Sequence, residues 1–311
     1  MTFSVRFFKR LILLILVLSI AIPTWLAIWF GAQTASLKRQ LDEMGATPSS
    51  RPSQSQESPS QSGDPAVVPT SYDTQLNPEP LSYQTMFPEL YSTAVIPAQR
   101  VKAIDTVYLT FDCTPSSNTL EILEKLDHYG VKATFFVTGS TDPDAAEIMR
   151  EIVRQGHTIG LRSSSSSYQK IYQSVEDYLT DFNEIYNLVY EATDVRAEIF
   201  RFPGGSVNSY NSGIYQELIA EMLRRNFIFF DWTITEGSAT KGELTAEEIS
   251  ANVVDKMAAE GRDRDIVKLQ DSPGREMVAG ALPSIIEELR AVGYSFQPLT
   301  ANVLPVAFRY P

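Results

Sequence analysis

The chain has 311 residues, 43% of them hydrophobic and 21% charged, which fits one large globular domain or two ordinary ones. Its formal net charge of −12 excludes a general nucleic-acid-binding role, because no basic excess is available to neutralise phosphates, and it disfavours adhesion to anionic polymers without excluding a local basic patch. The single cysteine excludes an intrachain disulfide framework and a multi-cysteine zinc cluster, and the two histidines leave few candidates for a histidine-based site.

The N-terminus predicts a membrane anchor. Residues 11–30 are nearly all apolar, and a helix of this length, at about 1.5 Å per residue, spans the roughly 30 Å hydrocarbon core of a bilayer. Arg6, Lys9 and Arg10 place residues 1–10 in the cytoplasm. A cleaved signal peptide is the alternative, although its apolar region usually has only about 7–15 residues. We expect a single-pass protein of the cell membrane whose C-terminal domain lies outside the cytoplasm.

Residues 31–85 predict a short helix followed by a disordered linker. Their central sequence, TPSSRPSQSQESPSQSGDP, contains too little apolar surface to offset the entropy lost on ordering. We interpret this segment as a flexible tether that separates the membrane anchor from a folded domain over residues 86–311.

From about residue 102 onward, β-rich runs alternate with amphipathic helical patterns. Strands are predicted at residues 107–111, 134–138, 158–162, 199–202, 227–232, 266–270 and 294–299. Helical periodicity occupies the intervals, and Thr245 and Glu248 have the spacing of a capping box. This alternation predicts a mostly parallel sheet covered by helices, with about seven strands in a barrel whose chemistry collects at the C-terminal strand ends.

Five segments at those strand ends resemble the motifs of the polysaccharide deacetylases, also called the NodB-homology domain. In chain order they read VYLTFDCTPSSNT, GHTIGLRSSSSSYQKI, FRFPGGS, FFDWTITEGSAT and IVKLQDSPGREMVAGALPSIIEELRAVGYSFQPLT. The resemblance extends from about residue 107 to 300, and it implies a distorted (β/α)7-type barrel.

In active members the resemblance implies a divalent metal such as zinc, held by one Asp and two His, which polarises an N-acetyl carbonyl and activates a water molecule. A second Asp is the base, a His is the general acid, and an Arg and an Asp support the site. The base and its two supports match Asp112, Arg201 and Asp231. The three metal-ligand positions and the general-acid position are occupied by Cys113, Arg162, Ser166 and Gln270.

These replacements predict that no metal and no other cofactor is bound. Ser166 is a poor ligand, and Arg162 keeps a positive charge that repels a dication. Cys113 could bind zinc as a thiolate, or could be a small buried hydrophobic residue. Arg162 could pair with Asp112 and satisfy its carboxylate electrostatically, or could point outward as a solvated charge.

The sequence therefore predicts a membrane-anchored, cell-envelope protein related to polysaccharide deacetylases that binds or regulates N-acetylated, peptidoglycan-like glycan and is catalytically inactive. The candidate glycan-binding residues are Trp232, Tyr168, Pro203 and Gly204. Two alternatives remain open: an active N-deacetylase with an unusual metal site or metal-free chemistry, and a structural protein that binds another envelope protein. Neither the protein partner nor the oligomeric state follows from the sequence.

Overall fold

We describe a computed structural model of the chain for residues 79–97, 104–238, 243–260 and 264–309. Within these ranges no helix combines the length and the apolar character needed to cross a bilayer. The predicted anchor at residues 11–30 and most of the predicted tether lie outside the described residues, so both stay predictions.

The described chain alternates strands and helices, as the sequence predicted. The strands are β1 (Thr106–Cys113), β2 (Thr134–Thr138), β3 (Thr158–Ser163), β4 (Ile199–Phe200), β5 (Ile228–Phe229), β6 (Ile234–Thr235), β7 (Arg264–Asp271) and β8 (Ser295–Phe296). The helices are α1 (Ser117–His128), α2 (Ala145–Arg154), α3 (Tyr168–Ile171), α4 (Val175–Thr193), α5 (Tyr215–Arg224), α6 (Ala246–Glu260) and α7 (Met277–Ala291), preceded by a short 3-10 helix at Ser82–Thr85. Thr245 and Glu248 form the predicted capping box at the start of α6, each side chain accepting the other's backbone N–H.

All the strand pairs of the described sheet are parallel, in the order β5-β4-β3-β2-β1-β7-β6. β8 pairs with Thr106 and Val107 at the start of β1, and β2 pairs with the same edge of β1 from Thr110 onward. The predicted parallel α/β arrangement is therefore confirmed as a half-barrel, with eight strands in the described residues instead of about seven.

The extra strand, β6, directly follows the strand that was predicted over residues 227–232. Phe230 N–H still bonds the carbonyl of Phe200 beyond the end of β4, whereas Thr233 N–H bonds the carbonyl of Ile266 on β7. The chain thus leaves one edge of the sheet and joins the other within three residues. The two terminal strands of the sheet, β5 and β6, are therefore consecutive in the chain.

Alternation along the strands separates two apolar cores. Odd-numbered residues of β1, including Phe111 and Cys113, pack with the helices in the larger core. Tyr108 on the same strand packs inside the barrel with Phe136, Phe230 and Ile266. Asp112 has the parity of Tyr108, so its carboxylate faces the barrel interior.

The segment before the barrel is held by Arg225, at the C-terminal end of α5. The Arg225 side chain is fully buried, and its Nε donates to Glu221 Oε1 at 2.7 Å. Its two Nη groups donate to four backbone carbonyls between residues 83 and 90, those of Tyr83, Met86, Phe87 and Leu90. All five guanidinium donors are therefore used, and they fix the segment against α5.

His157, at the start of β3, is expected to make the fold sensitive to acid. It is 6% exposed, and its Nδ1 accepts the N–H of Ala133 at 3.1 Å. Burial, assisted by Lys132, lowers its pKa to about 4. The unfolded chain takes up this proton near pH 6.5, whereas the folded chain resists it until about pH 4, so the free energy of unfolding should fall by roughly 3 kcal/mol across that interval.

Urea unfolding of the wild type and of His157→Gln between pH 7.5 and pH 4 measures this effect. Glutamine keeps an acceptor for Ala133 N–H but has no proton to gain. The difference in unfolding free energy between the two proteins should shrink as the pH falls. A difference that stays constant with pH would contradict the assignment.

Candidate functional site

The residues that the sequence placed at strand ends meet at one mouth of the barrel. Asp112 lies near the end of β1, Arg162 near the end of β3, and Gln270 near the end of β7, while Arg201 directly follows β4. Because the strands are parallel, these ends lie at the same face, where barrel enzymes collect their functional groups. Asp112 and Gln270 are direct partners in the β1–β7 register.

Asp112 is bracketed by two arginines. Arg201 Nη1 donates to its Oδ1 at 3.0 Å, and Arg162 Nε lies 3.4 Å from its Oδ2. The Asp112 side chain is 4% exposed, and those of Arg162 and Arg201 are 10% and 0% exposed. Both ion pairs are therefore formed largely out of water, where breaking either of them leaves a costly charge behind.

The predicted pairing of Arg162 with Asp112 is thereby confirmed, and the alternative in which Arg162 points into solvent is wrong. The Nε contact is an ion pair without hydrogen-bond geometry. The rest of the guanidinium is fixed by Nη1, which donates to Thr138 Oγ1 at 3.0 Å, and by Nη2, which donates to Tyr168 Oη at 2.6 Å. These bonds orient the charge toward the barrel interior.

The charges around Asp112 decide its ionisation. Burial by itself raises the pKa of this carboxyl, but the positive charges of Arg162, Arg201 and Lys268 outweigh burial and leave its pKa below the usual value. Asp112 is thus an ionised carboxylate at neutral pH that binds a proton weakly. It fits the role of a counter-ion better than that of a proton acceptor.

Arg201 is fixed from several sides. Its Nε donates to the carbonyl of Phe230 at 3.0 Å, and its guanidinium carbon lies 4.3 Å from the centre of the Phe136 ring. Nη2 reaches the backbone carbonyl of Asp231 at 3.5 Å. Arg201 therefore links the ends of β1 and β5 through the barrel interior.

Asp231 lies beside this group, but its carboxylate has other partners in the described residues. It accepts Ser206 N–H at 2.8 Å, Ser206 Oγ–H at 2.5 Å and the N–H of Phe308 at 2.7 Å. Burial raises its pKa in spite of these bonds. Asp231 thus fastens the C-terminal segment and the loop after β4 to the site.

Cys113 does not share the mouth with Asp112, although the sequence analysis treated it as a candidate metal-ligand position. Successive strand residues face opposite sides, so its thiol is fully buried on the helix side, 3.8 Å from Thr119 Oγ1. Burial and the nearby Asp271 carboxylate raise its pKa well above the usual value. A protonated, inward-packed thiol is a poor metal ligand.

Ser166 and Gln270, which the resemblance aligns with a metal ligand and with the general acid, also lack metal-ligand chemistry. Ser166 is exposed in the loop between β3 and α3. Gln270 directs its amide to the backbone carbonyl of Asp112 at 3.4 Å, and an amide cannot deliver a proton to a leaving amine. Among the described residues no three His, Cys, Asp or Glu side chains are grouped so that they could hold a metal ion. The residues present do not fit the divalent metal that the resemblance implies.

Of the four candidate glycan-binding residues, three lie together and Trp232 lies apart from them. Tyr168 lies over Gly204, where a side-chain carbon would come within 3.1 Å of its ring, and the carbonyl of Pro203 accepts from Tyr172 Oη at 2.8 Å. Trp232 lies on the other side, in edge contact with the Phe308 ring at 4.8 Å. Tyr168 and Trp232 are both only partly buried, so they form part of the accessible wall of the mouth.

Sequence reasoning missed four residues of the site: Thr138, Glu236, Lys268 and Phe308. Glu236 follows the two-residue strand β6, which has no pattern of its own, and its Oε2 accepts Gln270 N–H at 2.7 Å. Burial raises the pKa of Glu236. Lys268 could have been found from the sequence, because it is a charged residue within the apolar strand β7. It lies two residues before Gln270, so both side chains face the same side of the sheet. The other two carry no sequence signal, since their positions depend on tertiary packing.

Comparison with known proteins shows to which family this chain belongs. The family model described as polysaccharide deacetylase matches residues 99–222. The crystal structure of the catalytic domain of a peptidoglycan N-acetylglucosamine deacetylase from Eubacterium rectale is 32% identical, with a TM-score of 0.63, over 68% of this chain and 97% of that chain. This chain belongs to the polysaccharide deacetylase family.

Two other members of the polysaccharide deacetylase family have lower sequence identity to this chain. A family 4 acetyl xylan esterase from Clostridium thermocellum, solved with a cobalt ion, is 29% identical over 63% of this chain and 89% of that chain, with a TM-score of 0.53. A peptidoglycan-N-acetylglucosamine deacetylase from Bacillus cereus is 24% identical over 61% of this chain and 67% of that protein. The present chain therefore shares the fold of these relatives, and the mouth of its barrel holds an arginine–aspartate group.

Gly205 is expected to be required for packing of the C-terminal segment in this family member. It has a φ of 92°, and a methyl group there would collide with the Phe308 ring. Gly205→Ala should lower the free energy of unfolding by about 2 kcal/mol, because backbone strain adds to displacement of Phe308. Thermal and urea unfolding measure the change.

Gly130→Ala is the matched control. Gly130 also has a positive φ, 60°, but a methyl group there meets no atom within 4 Å, so it reports the backbone cost alone, about 1 kcal/mol. Adding Phe308→Ala to Gly205→Ala should make the glycine substitution cost no more than the control. Equal costs at both glycines in the wild-type background would show that Phe308 does not constrain this position.

Proposed function

We propose that this protein is a catalytically inactive polysaccharide deacetylase of the cell envelope that binds or regulates N-acetylated, peptidoglycan-like glycan. The observation that carries the proposal is the ion pair between Arg162 and Asp112, 3.4 Å apart. The motif resemblance aligns Arg162 with a metal-ligand histidine of the family. A guanidinium remains protonated under all physiological conditions, so it holds the Asp112 carboxylate and opposes a divalent cation there.

The partly exposed wall of the mouth supports glycan binding. Tyr168, Trp232 and Gln270 are accessible around the buried ion pairs, and aromatic and amide side chains suit the apolar faces and hydroxyl groups of sugars. The mouth can therefore contact a glycan without a reacting centre.

The location of the protein forms part of the proposal. Residues 11–30 would anchor the chain in the membrane as a single-pass segment, and residues 31–85 would hold the domain at residues 86–311 outside the cytoplasm. Membrane fractionation of the full chain, with protease added to intact cells stripped of their wall, tests this orientation. Loss of the domain to protease, with residues 1–10 protected, is the expected result.

Metal content, acetate release and glycan affinity of the full chain in detergent test the function. After dialysis against trace zinc we expect far less than one metal ion per chain, no acetate release from chitooligosaccharide or peptidoglycan, and measurable binding of the same glycans. The variant Cys113→Asp/Arg162→His/Ser166→His/Gln270→His serves as a comparison that carries the family's residue types.

The two alternatives give different results. Stoichiometric metal with acetate release that Asp112→Ala abolishes would establish an active deacetylase. A stoichiometric protein partner recovered from membranes, with no glycan affinity, would establish a structural partner-binding protein. Either result would overturn the proposal.

A further inference from the structure

Lys268 is a charged residue in the barrel interior. It lies on β7 between Ile266 and Gln270, in register with Thr110 of β1, two residues before the Asp112–Gln270 pair. Ile266 packs in the interior core with Phe230, whereas Val267 and Leu269 pack on the helix side. Lys268 therefore extends toward the mouth from the face that carries the site.

The ammonium group is positioned by an aromatic ring. Lys268 Nζ lies 5.1 Å from the centre of the Trp232 ring, which also lies 5.5 Å from the guanidinium carbon of Arg201. Contact with the indole holds the lysine by a cation–π interaction without using its hydrogen-bond donors. Lys268 and Trp232 are both partly exposed, so solvent and small ligands can reach them.

The acidic groups near Lys268 act on its charge but make their direct contacts with other groups. Asp112 forms its ion pairs with Arg162 and Arg201, the Glu236 carboxylate accepts Gln270 N–H, and Asp231 accepts from Ser206 and Phe308. Within the described parts of the chain, no carboxylate lies within the 4.0 Å ion-pair limit of the Lys268 ammonium.

Three cations, Arg162, Arg201 and Lys268, lie at this mouth beside three acidic side chains, Asp112, Asp231 and Glu236. Arg162 and Arg201 are in direct contact with Asp112, whereas Lys268 acts on Asp112 and Glu236 only from beyond ion-pair distance. A ligand that brings its own carboxylate would supply the missing partner for the ammonium, in a charge-assisted hydrogen bond.

We propose that Lys268, held by Trp232, binds a carboxylate carried by the glycan, so that the mouth selects an acidic sugar over a neutral N-acetyl sugar. This inference rests on the proposed glycan-binding function and names the chemical class of its ligand. The carboxylate would accept from Lys268 Nζ, while Gln270 and Tyr168 remain available for the neutral part of the sugar.

Calorimetric titration of the full chain in detergent tests the inference with two matched probes. One is the disaccharide of N-acetylglucosamine and N-acetylmuramic acid with a free lactyl carboxylate, and the other is the same disaccharide with that carboxylate converted to an amide. The free acid should bind about tenfold more tightly, which is the magnitude of one partly exposed charge-assisted hydrogen bond. The preference should weaken as the salt concentration rises.

Variants assign the preference to Lys268. Lys268→Met keeps the aliphatic stem but should bind both probes with the affinity of the amide, whereas Lys268→Arg should retain the preference. Lys132→Met removes the same charge from the N-terminal end of β2, at the opposite end of the barrel, and should change neither affinity. Thermal unfolding confirms that each variant is folded at the titration temperature.

The possible results separate the inference from the function on which it rests. Equal binding of the two probes by the wild type, or a preference that survives in folded Lys268→Met, would overturn the inference and leave glycan binding intact. Absence of binding to both probes and to chitooligosaccharide would overturn both. A preference lost in Lys268→Met and retained in Lys268→Arg supports the inference.

Discussion

Asp112→Asn is expected to lower the free energy of unfolding by about 3 kcal/mol, because it leaves a buried guanidinium without its counter-ion. Arg201 is fully buried, and its Nη1 donates to Asp112 Oδ1 at 3.0 Å. Asparagine can still accept that bond but carries no charge, and its amide group would face the Arg162 Nε–H. Urea unfolding at pH 7 measures the loss.

The sign of this change separates two roles for Asp112. Catalytic residues are often held in unfavourable surroundings, so their replacement commonly stabilises an enzyme. A carboxylate that two arginines neutralise should instead destabilise the protein when it is replaced. Stabilisation by Asp112→Asn would therefore support the catalytic alternative over the structural ion pair.

A double-mutant cycle that combines Asp112→Asn with Arg162→Met measures the coupling between these two side chains. Replacing Arg162 leaves Asp112 paired with Arg201, so that single substitution should cost less than Asp112→Asn. The double variant should cost less than the sum of the two singles, because the groups are in contact. Additive costs would show that the 3.4 Å contact contributes no coupling.

Lowering the pH should reduce the difference in unfolding free energy between the wild type and Asp112→Asn. Burial raises the pKa of Asp112, and the charges of Arg162, Arg201 and Lys268 lower it further than burial raises it. A lowered folded-state pKa contributes stability above the unfolded value of about 4, and this stability disappears as the pH falls through the folded value. The stability gap between the wild type and the variant should therefore begin to narrow as the pH falls below about 4 and should close below the folded-state pKa of Asp112. A gap that does not narrow below about pH 4 would contradict the assignment.

Arg225→Met is expected to cost about 3–5 kcal/mol, because four backbone carbonyls and Glu221 lose their buried donors together. The carbonyls belong to the segment between Tyr83 and Leu90, so this segment should detach from α5 before the barrel unfolds. Hydrogen exchange measured by mass spectrometry should show lost protection in residues 79–97 with little change in β1 and β7.

Arg224→Met is the matched control for Arg225→Met. Arg224 is the neighbouring residue and shares Glu221 as its partner, but its side chain is 37% exposed. A partly solvated pair contributes little, so the control should cost about 1 kcal/mol or less. Arg224 also donates to Tyr91 Oη and to the carbonyl of Gln84 in the same segment, so similar losses in the two variants would show that the burial of the Arg225 contacts adds nothing to them.

The sequence predicted the elements whose signals are local. Thr134–Thr138 is the predicted strand without change, and the helices with 3.6-residue apolar periodicity are present. The two-residue strands β4, β5, β6 and β8 were predicted longer or missed. Their extent depends on which neighbour the barrel brings alongside, and the sequence of a two-residue segment does not encode that neighbour.

The part of the site that the sequence indicated is the part where a buried charge requires compensation. A buried Asp112 favours a cationic partner, so the sequence offered pairing with Arg162 as one of two alternatives, and the structure decides between them. The sequence did not predict which way the Cys113 side chain points. The predicted strand ended at residue 111, whereas β1 continues to Cys113, and this continuation turns the thiol to the helix side. Phe308 was missed because residues 303–309 have neither helical nor strand periodicity.

The burial of Cys113 gives the protein an internal reporter of local opening. The chain has no other cysteine, and this one lies at the end of β1, directly after Asp112, with no exposed surface. A thiol reagent added to the native protein can therefore react only when the end of β1 separates from α1 and exposes sulfur. The labelling rate, followed with and without glycan, would measure how tightly a ligand at the mouth clamps the strand beneath it.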